Sequence, residues 1–198
     1  MSRIPAPLFR PADSAVLDDP NRDAWQKPGE IVRTLGLHSG SLVADVGAGS
    51  GYLLPYLSRA VGRGGCVFAE EIQTEFIPLL EEKAAELGNV TVIRGKAVDP
   101  ALPRPVDAIV LLTVIHEVSE PVPLLRCLRR YLRPGGRLAL IDFDARRGGY
   151  PPAPVGHEVP EASVIQEAQA AGWRLVRRHD FISSQFFLEF EPLTRNEP

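Results

Sequence analysis

The chain has 198 residues, of which 44% are hydrophobic and 24% are charged, and its formal net charge at pH 7 is −3. This length suits one well-buried α/β domain and is short for two. The basic excess typical of proteins that bind nucleic-acid phosphates is missing, so a large nucleic-acid substrate is disfavoured.

The cysteines and the hydropathy pattern bear on the environment of the protein. Cys66 and Cys127 are the only cysteines, and they lack metal-ligand spacing. We expect both to be reduced core residues, and we predict no metal site. No stretch approaches about 18 consecutive apolar residues, and the first residues lack the apolar core of a signal peptide. We therefore expect a cytoplasmic protein without membrane association.

The N-terminal part contains several prolines and no sustained hydrophobic period. This pattern predicts an extended arm over residues 1–20, followed by a single domain over residues 21–198. A first helix is expected from near Pro28 to near Gly36, with Ile31, Val32 and Leu35 on its apolar face.

Strands then alternate with helices along most of the chain. The predicted strands are Leu42 to Val46, Cys66 to Glu70, Val90 to Arg94, Val106 to Leu112 and Arg137 to Asp142. The predicted helices between them are residues 52–60, 74–87 and 122–132, the last ended by Pro134-Gly135-Gly136. This alternation predicts right-handed crossovers and a parallel sheet.

The last quarter of the chain follows another pattern. A Gly/Pro-rich connection, residues 145–160, leads to a predicted helix over residues 161–171 and two strands over residues 173–181 and 185–191. The link between those two strands is too short for a parallel crossover, so they must form an antiparallel hairpin.

The run Val43 to Leu53, VADVGAGSGYL, joins a buried strand to a Gly-x-Gly-x-Gly turn and a helix. A dinucleotide fingerprint requires its third glycine at position 52, which is Tyr. The run resembles motif I of the class I S-adenosylmethionine-dependent methyltransferases, in which a hydrophobic strand ends in an acid followed by Gly-x-Gly-x-Gly. The resemblance implies a Rossmann-like, mostly parallel seven-stranded sheet with helices on both faces and a C-terminal antiparallel hairpin.

The resemblance also implies S-adenosylmethionine as the cofactor. The implied cofactor contacts are Asp45, Gly47, Ala48, Gly49, Gly51, Glu71, Ile72, Ala97, Asp99 and Thr113. Glu71 is chosen over Glu70 as the acid that accepts hydrogen bonds from the ribose, and Glu70 is expected to be solvated. Lys96 departs from the family pattern, since many members have an acid there for the adenine amino group. The backbone of Ala97 or the carboxylate of Asp99 is the expected substitute.

The end of the fourth strand carries the candidate catalytic residues, His116 and Glu117. His116 is placed to act as a general base, to contact substrate or cofactor, or to cap the next helix, and Glu117 is placed to orient it or to contact a polar substrate. His157 is interpreted as a loop histidine. Trp25 either shields the cofactor or packs in the core.

These observations favour methyl transfer from S-adenosylmethionine to a small-molecule acceptor by in-line displacement, with general-base help from His116. Two alternatives stay open: a non-catalytic protein that binds S-adenosylmethionine or a nucleotide, which Lys96 motivates, and an NAD(P)-dependent oxidoreductase, which Tyr52 disfavours. The sequence identifies neither the acceptor atom nor the oligomeric state.

Overall fold

The computed structural model describes residues 5–8, 10, 19–144 and 146–193. Its strands are β1 (Leu42–Val46), β2 (Cys66–Glu71), β3 (Val90–Arg94), β4 (Val106–Leu112), β5 (Leu132–Phe143), β6 (Trp173–His179) and β7 (Gln185–Pro192). Its helices are α1 (Arg22–Gln26), α2 (Pro28–Thr34), α3 (Leu54–Val61), α4 (Ile77–Leu87), α5 (Pro121–Leu128) and α6 (Glu161–Ala170). Most of the expected arm, residues 1–20, lies outside the described residues.

The seven strands form one sheet in the order β3-β2-β1-β4-β5-β7-β6. Strands β1 to β5 pair in parallel, whereas β7 is antiparallel to both β5 and β6. This arrangement confirms the predicted fold class, including the hairpin made by β6 and β7. The order reverses between β1 and β4, and the carboxyl ends of these two neighbours lie at the same edge of the sheet.

Helices cover both faces of the sheet, which explains the nearly continuous apolar sequences of its central strands. All five residues of β1 are buried, as are six of the seven residues of β4. One face packs against apolar residues of α2, α3 and α4, and the other packs against those of α5 and α6. Burial on both faces favours uninterrupted apolar strands in a parallel sheet.

Besides shifts of a few residues at other ends, two regions differ from the predictions. A short helix, α1, precedes α2, and Lys27 separates them in a left-handed conformation (φ 54°). Helix α5 ends at Leu128, and β5 already begins at Leu132, so the prediction that Pro134-Gly135-Gly136 separates the helix from the strand is wrong. The register between β4 and β5 is irregular there, and such a bulge accommodates proline within a strand.

Trp173 joins the C-terminal hairpin to α5. Its side chain is fully buried, and its indole N–H donates to the Leu125 carbonyl at 2.9 Å. We expect Trp173→Phe to lower the free energy of unfolding by about 1–3 kcal/mol, because the carbonyl loses its partner and a small cavity remains. Urea denaturation measures this loss. Trp25→Phe, at a half-buried position, is the control, and a larger loss in the control would contradict the assignment.

None of the helices in the described ranges is long and apolar enough to cross a membrane.

Candidate functional site

A cavity of about 600 Å³ opens where the carboxyl ends of β1 and β4 meet. Its volume lies within the range of roughly 300–1,000 Å³ typical of small-molecule sites. Ten of the predicted site residues line it: Asp45, Gly47, Ala48, Gly49, Glu71, Ile72, Ala97, Thr113, His116 and Glu117. Gly51 and Asp99 are not among its lining residues.

The turn after β1 packs directly against the end of β4. Gly47 has φ 73°, and a Cβ atom built there would lie 2.7 Å from a methyl carbon of Val114. Real Cβ atoms do not approach other atoms so closely, and positive φ strains residues that carry a Cβ. Glycine at position 47 therefore lets the β1 turn and the β4 end share one wall of the cavity.

The backbone N–H groups of the turn donate to glutamate oxygens. The Gly47 and Ala48 N–H groups donate to the Glu70 carbonyl at 2.9 and 2.8 Å, and the Gly47 N–H also reaches the Glu70 carboxylate at 3.1 Å. The Gly49 N–H donates to the Glu71 carboxylate at 2.9 Å. A turn of this kind binds a pyrophosphate through free N–H groups, whereas here carbonyl and carboxylate oxygens of Glu70 and Glu71 accept hydrogen bonds from these groups. The site therefore suits a cationic or hydroxyl-bearing ligand better than a dinucleotide.

Both glutamates at the end of β2 are buried and line the cavity, with exposed fractions of 2% for Glu70 and 4% for Glu71. The expectation that Glu70 is solvated is wrong. Its carboxyl group packs over Gly95, where a Cβ atom would have no room, and accepts the Gly47 N–H. Glu71 also accepts the N–H groups of Ile72 and Gln73 at 2.8 and 2.9 Å.

Burial raises the pKa values of the carboxyl groups at this end of the cavity. It raises the pKa of Asp45 to about 7; Arg22 opposes the shift and Glu71 adds to it. Burial likewise raises the pKa of Glu70 to about 8, against the hydrogen bond from Gly47. A buried carboxyl prefers its neutral form unless a cation compensates it. This end of the cavity therefore gains most from a positively charged ligand.

The loop after β3 contributes Lys96 and Ala97 to the cavity. Asp99 is held elsewhere, because its carboxylate accepts the Ala101 N–H at 2.9 Å and the Tyr131 hydroxyl at 2.8 Å. The Ala101 hydrogen bond is the leading cause that holds the pKa of Asp99 below its usual value. Asp99 therefore stabilises the turn at Ala101 and does not line the cavity.

Thr113 lines the cavity in a left-handed backbone conformation, φ 57°, directly after β4. Its N–H donates to the Ile141 carbonyl at 2.7 Å, and its hydroxyl donates to the Leu112 carbonyl at 2.6 Å. A threonine at positive φ costs about 1–3 kcal/mol, and such strained residues cluster at functional sites. This backbone conformation of Thr113 turns the chain sharply from β4 into the segment that carries His116.

His116 is held by Asp142, a fully buried residue at the end of β5. The His116 Nδ1 lies 2.8 and 2.9 Å from the two carboxylate oxygens of Asp142, and the His116 backbone N–H donates to one of them at 3.1 Å. Burial opposes protonation of the imidazole, but the charges and hydrogen bonds of Asp142 and Glu117 outweigh it and raise the pKa of His116 to about 9.

The second ring nitrogen of His116, Nε2, lies close to Glu117 and His157. This atom lies 3.2 Å from the His157 Nδ1 and 3.5 Å from a Glu117 carboxylate oxygen. Sequence reasoning missed Asp142. His157 lies in a loop, as interpreted, but its contact with His116 was not predicted. An acid at the carboxyl end of a strand beside β4 was a usable signal for Asp142. The position of His157 depends on how the long connection folds back, which no local pattern encodes.

Segments before β1 cover part of the cavity. The Ala6 N–H donates to the His116 carbonyl at 2.9 Å. Trp25 lines the cavity and packs on Phe143, with ring centroids 6.1 Å apart. The Arg22 guanidinium lies 3.8 Å from the centre of the Tyr52 ring, which suits a cation–π contact.

Comparison with known proteins agrees with this geometry. A family model described as a methyltransferase domain matches residues 44–140. The chain is similar to a SAM-dependent methyltransferase from Aquifex aeolicus, with 33% identity, a TM-score of 0.83, and coverage of 92% of this chain and 98% of that one. A TehB-like SAM-dependent methyltransferase from Corynebacterium glutamicum shares the fold, at 18% identity and a TM-score of 0.69 over 92% of this chain and 100% of that one.

Curated relatives match over a shorter stretch. A ubiquinone/menaquinone biosynthesis C-methyltransferase, UbiE, from a Marinomonas strain is 32% identical over 125 residues, which cover 60% of this chain and 48% of the relative. The chain spans about half the length of the curated relatives it matches.

Proposed function

This chain belongs to the class I S-adenosylmethionine-dependent methyltransferases, and from that premise we propose that it methylates a small-molecule acceptor bound at the His116 end of the cavity. The observation that carries the proposal is that one cavity holds two chemically distinct groups of residues. The carboxylates around the β1 turn lie at one end, and His116 and Glu117 lie at the end of β4.

The residues at the β1 turn fit the cofactor. When bound, S-adenosylmethionine supplies an electrophilic methyl group on a positively charged sulfur. Asp45, Glu70 and Glu71 surround the turn with carboxyl groups, which suit a cation and the hydroxyls of a ribose. We propose that Glu71 holds the ribose and that Ile72 and Ala97 flank the adenine. Glu70 then completes the acidic wall and holds the turn.

The protein's part in methyl transfer is to align the acceptor with the methyl group and to exclude water. Such positioning supplies roughly 7–11 kcal/mol of a barrier without a nucleophilic residue. Pro5, Ala6 and Trp25 from the N-terminal side, and Tyr150, Pro151 and Pro152 from the long connection, line the same cavity. Their enclosure of the space favours a small acceptor.

The general-base role of His116 stays a prediction. A histidine acts as a base only in its neutral form, and the raised pKa of His116, about 9, makes the neutral imidazole the minority form at neutral pH. Contact between the acceptor and the polar atoms of His116, Glu117 and His157 is the role that the geometry supports best.

Calorimetry and product analysis test the proposed function. S-adenosylmethionine and S-adenosylhomocysteine are titrated separately into the full chain, with NAD as the comparison. The chain is then incubated with a small-molecule extract and isotope-labelled cofactor, and mass spectrometry and NMR identify labelled products and the methylated atom. Binding of the two sulfur ligands and labelling of a small molecule are expected. Binding of NAD alone, or label found only on the chain itself, would overturn the proposal.

Glu71→Gln tests the ribose contact. We expect this change to weaken S-adenosylmethionine binding by roughly tenfold, because hydrogen bonds to a charged acceptor contribute about 1.5–3 kcal/mol. Glu75→Gln removes an exposed carboxylate in the segment that follows β2 and is the matched control. Equal affinities for the two variants, measured by calorimetry, would remove Glu71 from the cofactor site.

A further inference from the structure

His116, Glu117 and His157 bring three potential metal-ligating atoms together at one end of the cavity. The His116 Nε2 lies 3.2 Å from the His157 Nδ1 and 3.5 Å from the Glu117 Oε1, and the latter two atoms are 4.0 Å apart. Ligands about 2.0–2.1 Å from a tetrahedral zinc ion lie about 3.3–3.4 Å from one another. The three atoms therefore already have nearly the separations that a metal ion requires.

Asp142 provides a second, independent feature of a metal site. Its side chain is fully buried, and its carboxylate oxygens lie 2.8 and 2.9 Å from the His116 Nδ1. A histidine that binds a metal through one nitrogen usually donates the other N–H to a carboxylate, which fixes the ring orientation. Asp142 holds the Nδ1 side of the ring, and this leaves the Nε2 atom directed toward His157 and Glu117.

A contact between the two imidazoles alone does not explain the whole arrangement. A hydrogen bond between their nitrogens would account for the 3.2 Å distance, but the Glu117 carboxylate approaches both rings as well. Glu117 is 14% exposed and His157 25% exposed, so the cluster faces the cavity rather than the core. Two nitrogens and a carboxylate oxygen that converge beside an open space resemble a three-ligand site with one position left open.

We propose that His116, Glu117 and His157 bind a divalent transition-metal ion whose open coordination position faces the cavity. The open position takes an oxygen or nitrogen atom of the methyl acceptor, and this part of the inference rests on the proposed function. His116 is then a metal ligand rather than a base, and an acceptor hydroxyl would become more acidic through the metal. Asp142 is a positioning residue.

Metal binding is measured on the full chain without a histidine tag. The protein is treated with a chelator, and Zn²⁺, Co²⁺ and Mg²⁺ are titrated separately by calorimetry, with the visible absorption of Co²⁺ as a readout of its coordination. We expect one Zn²⁺ or Co²⁺ ion per chain. Mg²⁺ is expected to bind at least about 100-fold more weakly, because imidazole ligands suit transition metals and Mg²⁺ prefers oxygen.

Substitutions locate the site. His157→Gln is the decisive change because this residue is partly exposed and lies in a loop outside the helices and strands. His157→Gln and His116→Gln are each expected to weaken Zn²⁺ binding by at least about 100-fold, and Asp142→Asn by about 10–100-fold. His179→Gln is the matched control, since His179 forms another histidine–carboxylate pair, with Glu189 at 2.9 Å.

The outcomes separate the two proposals. Unchanged Zn²⁺ affinity in His157→Gln, or an equal loss in His179→Gln, would overturn the metal site. S-adenosylmethionine is titrated into the same samples, and the control His179→Gln must keep its affinity for both Zn²⁺ and S-adenosylmethionine. A chain that binds S-adenosylmethionine but no metal contradicts the metal inference alone, and one that binds Zn²⁺ but no S-adenosylmethionine contradicts the proposed function alone.

Discussion

Replacing Gly49 with aspartate is expected to weaken the binding of S-adenosylmethionine by about 100-fold. Gly49 lines the cavity with φ 55°, and its N–H donates to Glu71 at 2.9 Å. Aspartate tolerates this left-handed conformation better than most residues, so the backbone is least disturbed. The new side chain starts from the cavity wall and adds a carboxylate beside Glu71, where it displaces ligand and repels its neighbour.

Gly88→Asp is the matched control for this experiment. Gly88 also has positive φ, 75°, at the end of α4, and a Cβ atom there would meet nothing within 4 Å. Both variants therefore place aspartate in a similar backbone conformation, but only position 49 lines the cavity. Calorimetry gives the two affinities, and thermal unfolding confirms that both variants fold. Similar affinities in Gly49→Asp and the unmodified chain would mean that the cofactor binds elsewhere.

How well a feature could be predicted from the sequence depends on how far apart along the chain its interacting residues lie. The ends of β1, β3 and β4 agree with the predictions residue for residue, because buried strands carry their signal in consecutive apolar residues. Asp45, Gly47 and Gly49 line the cavity as expected, since one short motif contains both the strand end and the turn. Local pattern was sufficient wherever a few consecutive residues determine the geometry.

The contacts that the sequence did not predict join residues that lie far apart along the chain. Glu70 is buried because Gly95 leaves room for its carboxyl group, and the β2 sequence contains no sign of that space. Asp142 reaches His116 from β5, and His157 reaches it from the long connection. Glu71 was expected at the cofactor and Glu70 in solvent, but both side chains are buried. Tertiary packing, rather than propensity, determines these contacts.

The two ends of the cavity have related electrostatics. Around the β1 turn, burial raises the pKa of Asp45 and Glu70 and disfavours their ionised forms, and near His116 the carboxylates of Asp142 and Glu117 lie beside one imidazole pair. Burying negative charge is costly unless positive charge is supplied. A cationic cofactor at one end and a metal ion at the other would each supply it, which connects the proposed function with the metal inference.

The affinity for S-adenosylmethionine is expected to rise by at least about tenfold between pH 6 and pH 8. In the ligand-free protein, burial raises the pKa of Asp45 to about 7 and that of Glu70 to about 8. Below these values the carboxyl groups are mostly neutral, and a cation must displace their protons in order to bind. As the pH rises through 7 and 8, the carboxyl groups lose these protons before the ligand binds, so the affinity increases and then levels off.

The neighbours of these two groups determine how much of the effect belongs to each. The charge of Arg22 lowers the pKa of Asp45, whereas Glu71 raises the pKa values of both carboxyl groups and Asp99 raises that of Glu70.

S-adenosylhomocysteine lacks the positive sulfur, so its affinity should rise less steeply over the same pH range. Asp45→Asn should flatten the S-adenosylmethionine curve toward that of S-adenosylhomocysteine. Calorimetry in buffers of different ionisation enthalpy also counts the protons released on binding. Parallel curves for the two ligands would show that the positive sulfur does not lie near these carboxylates.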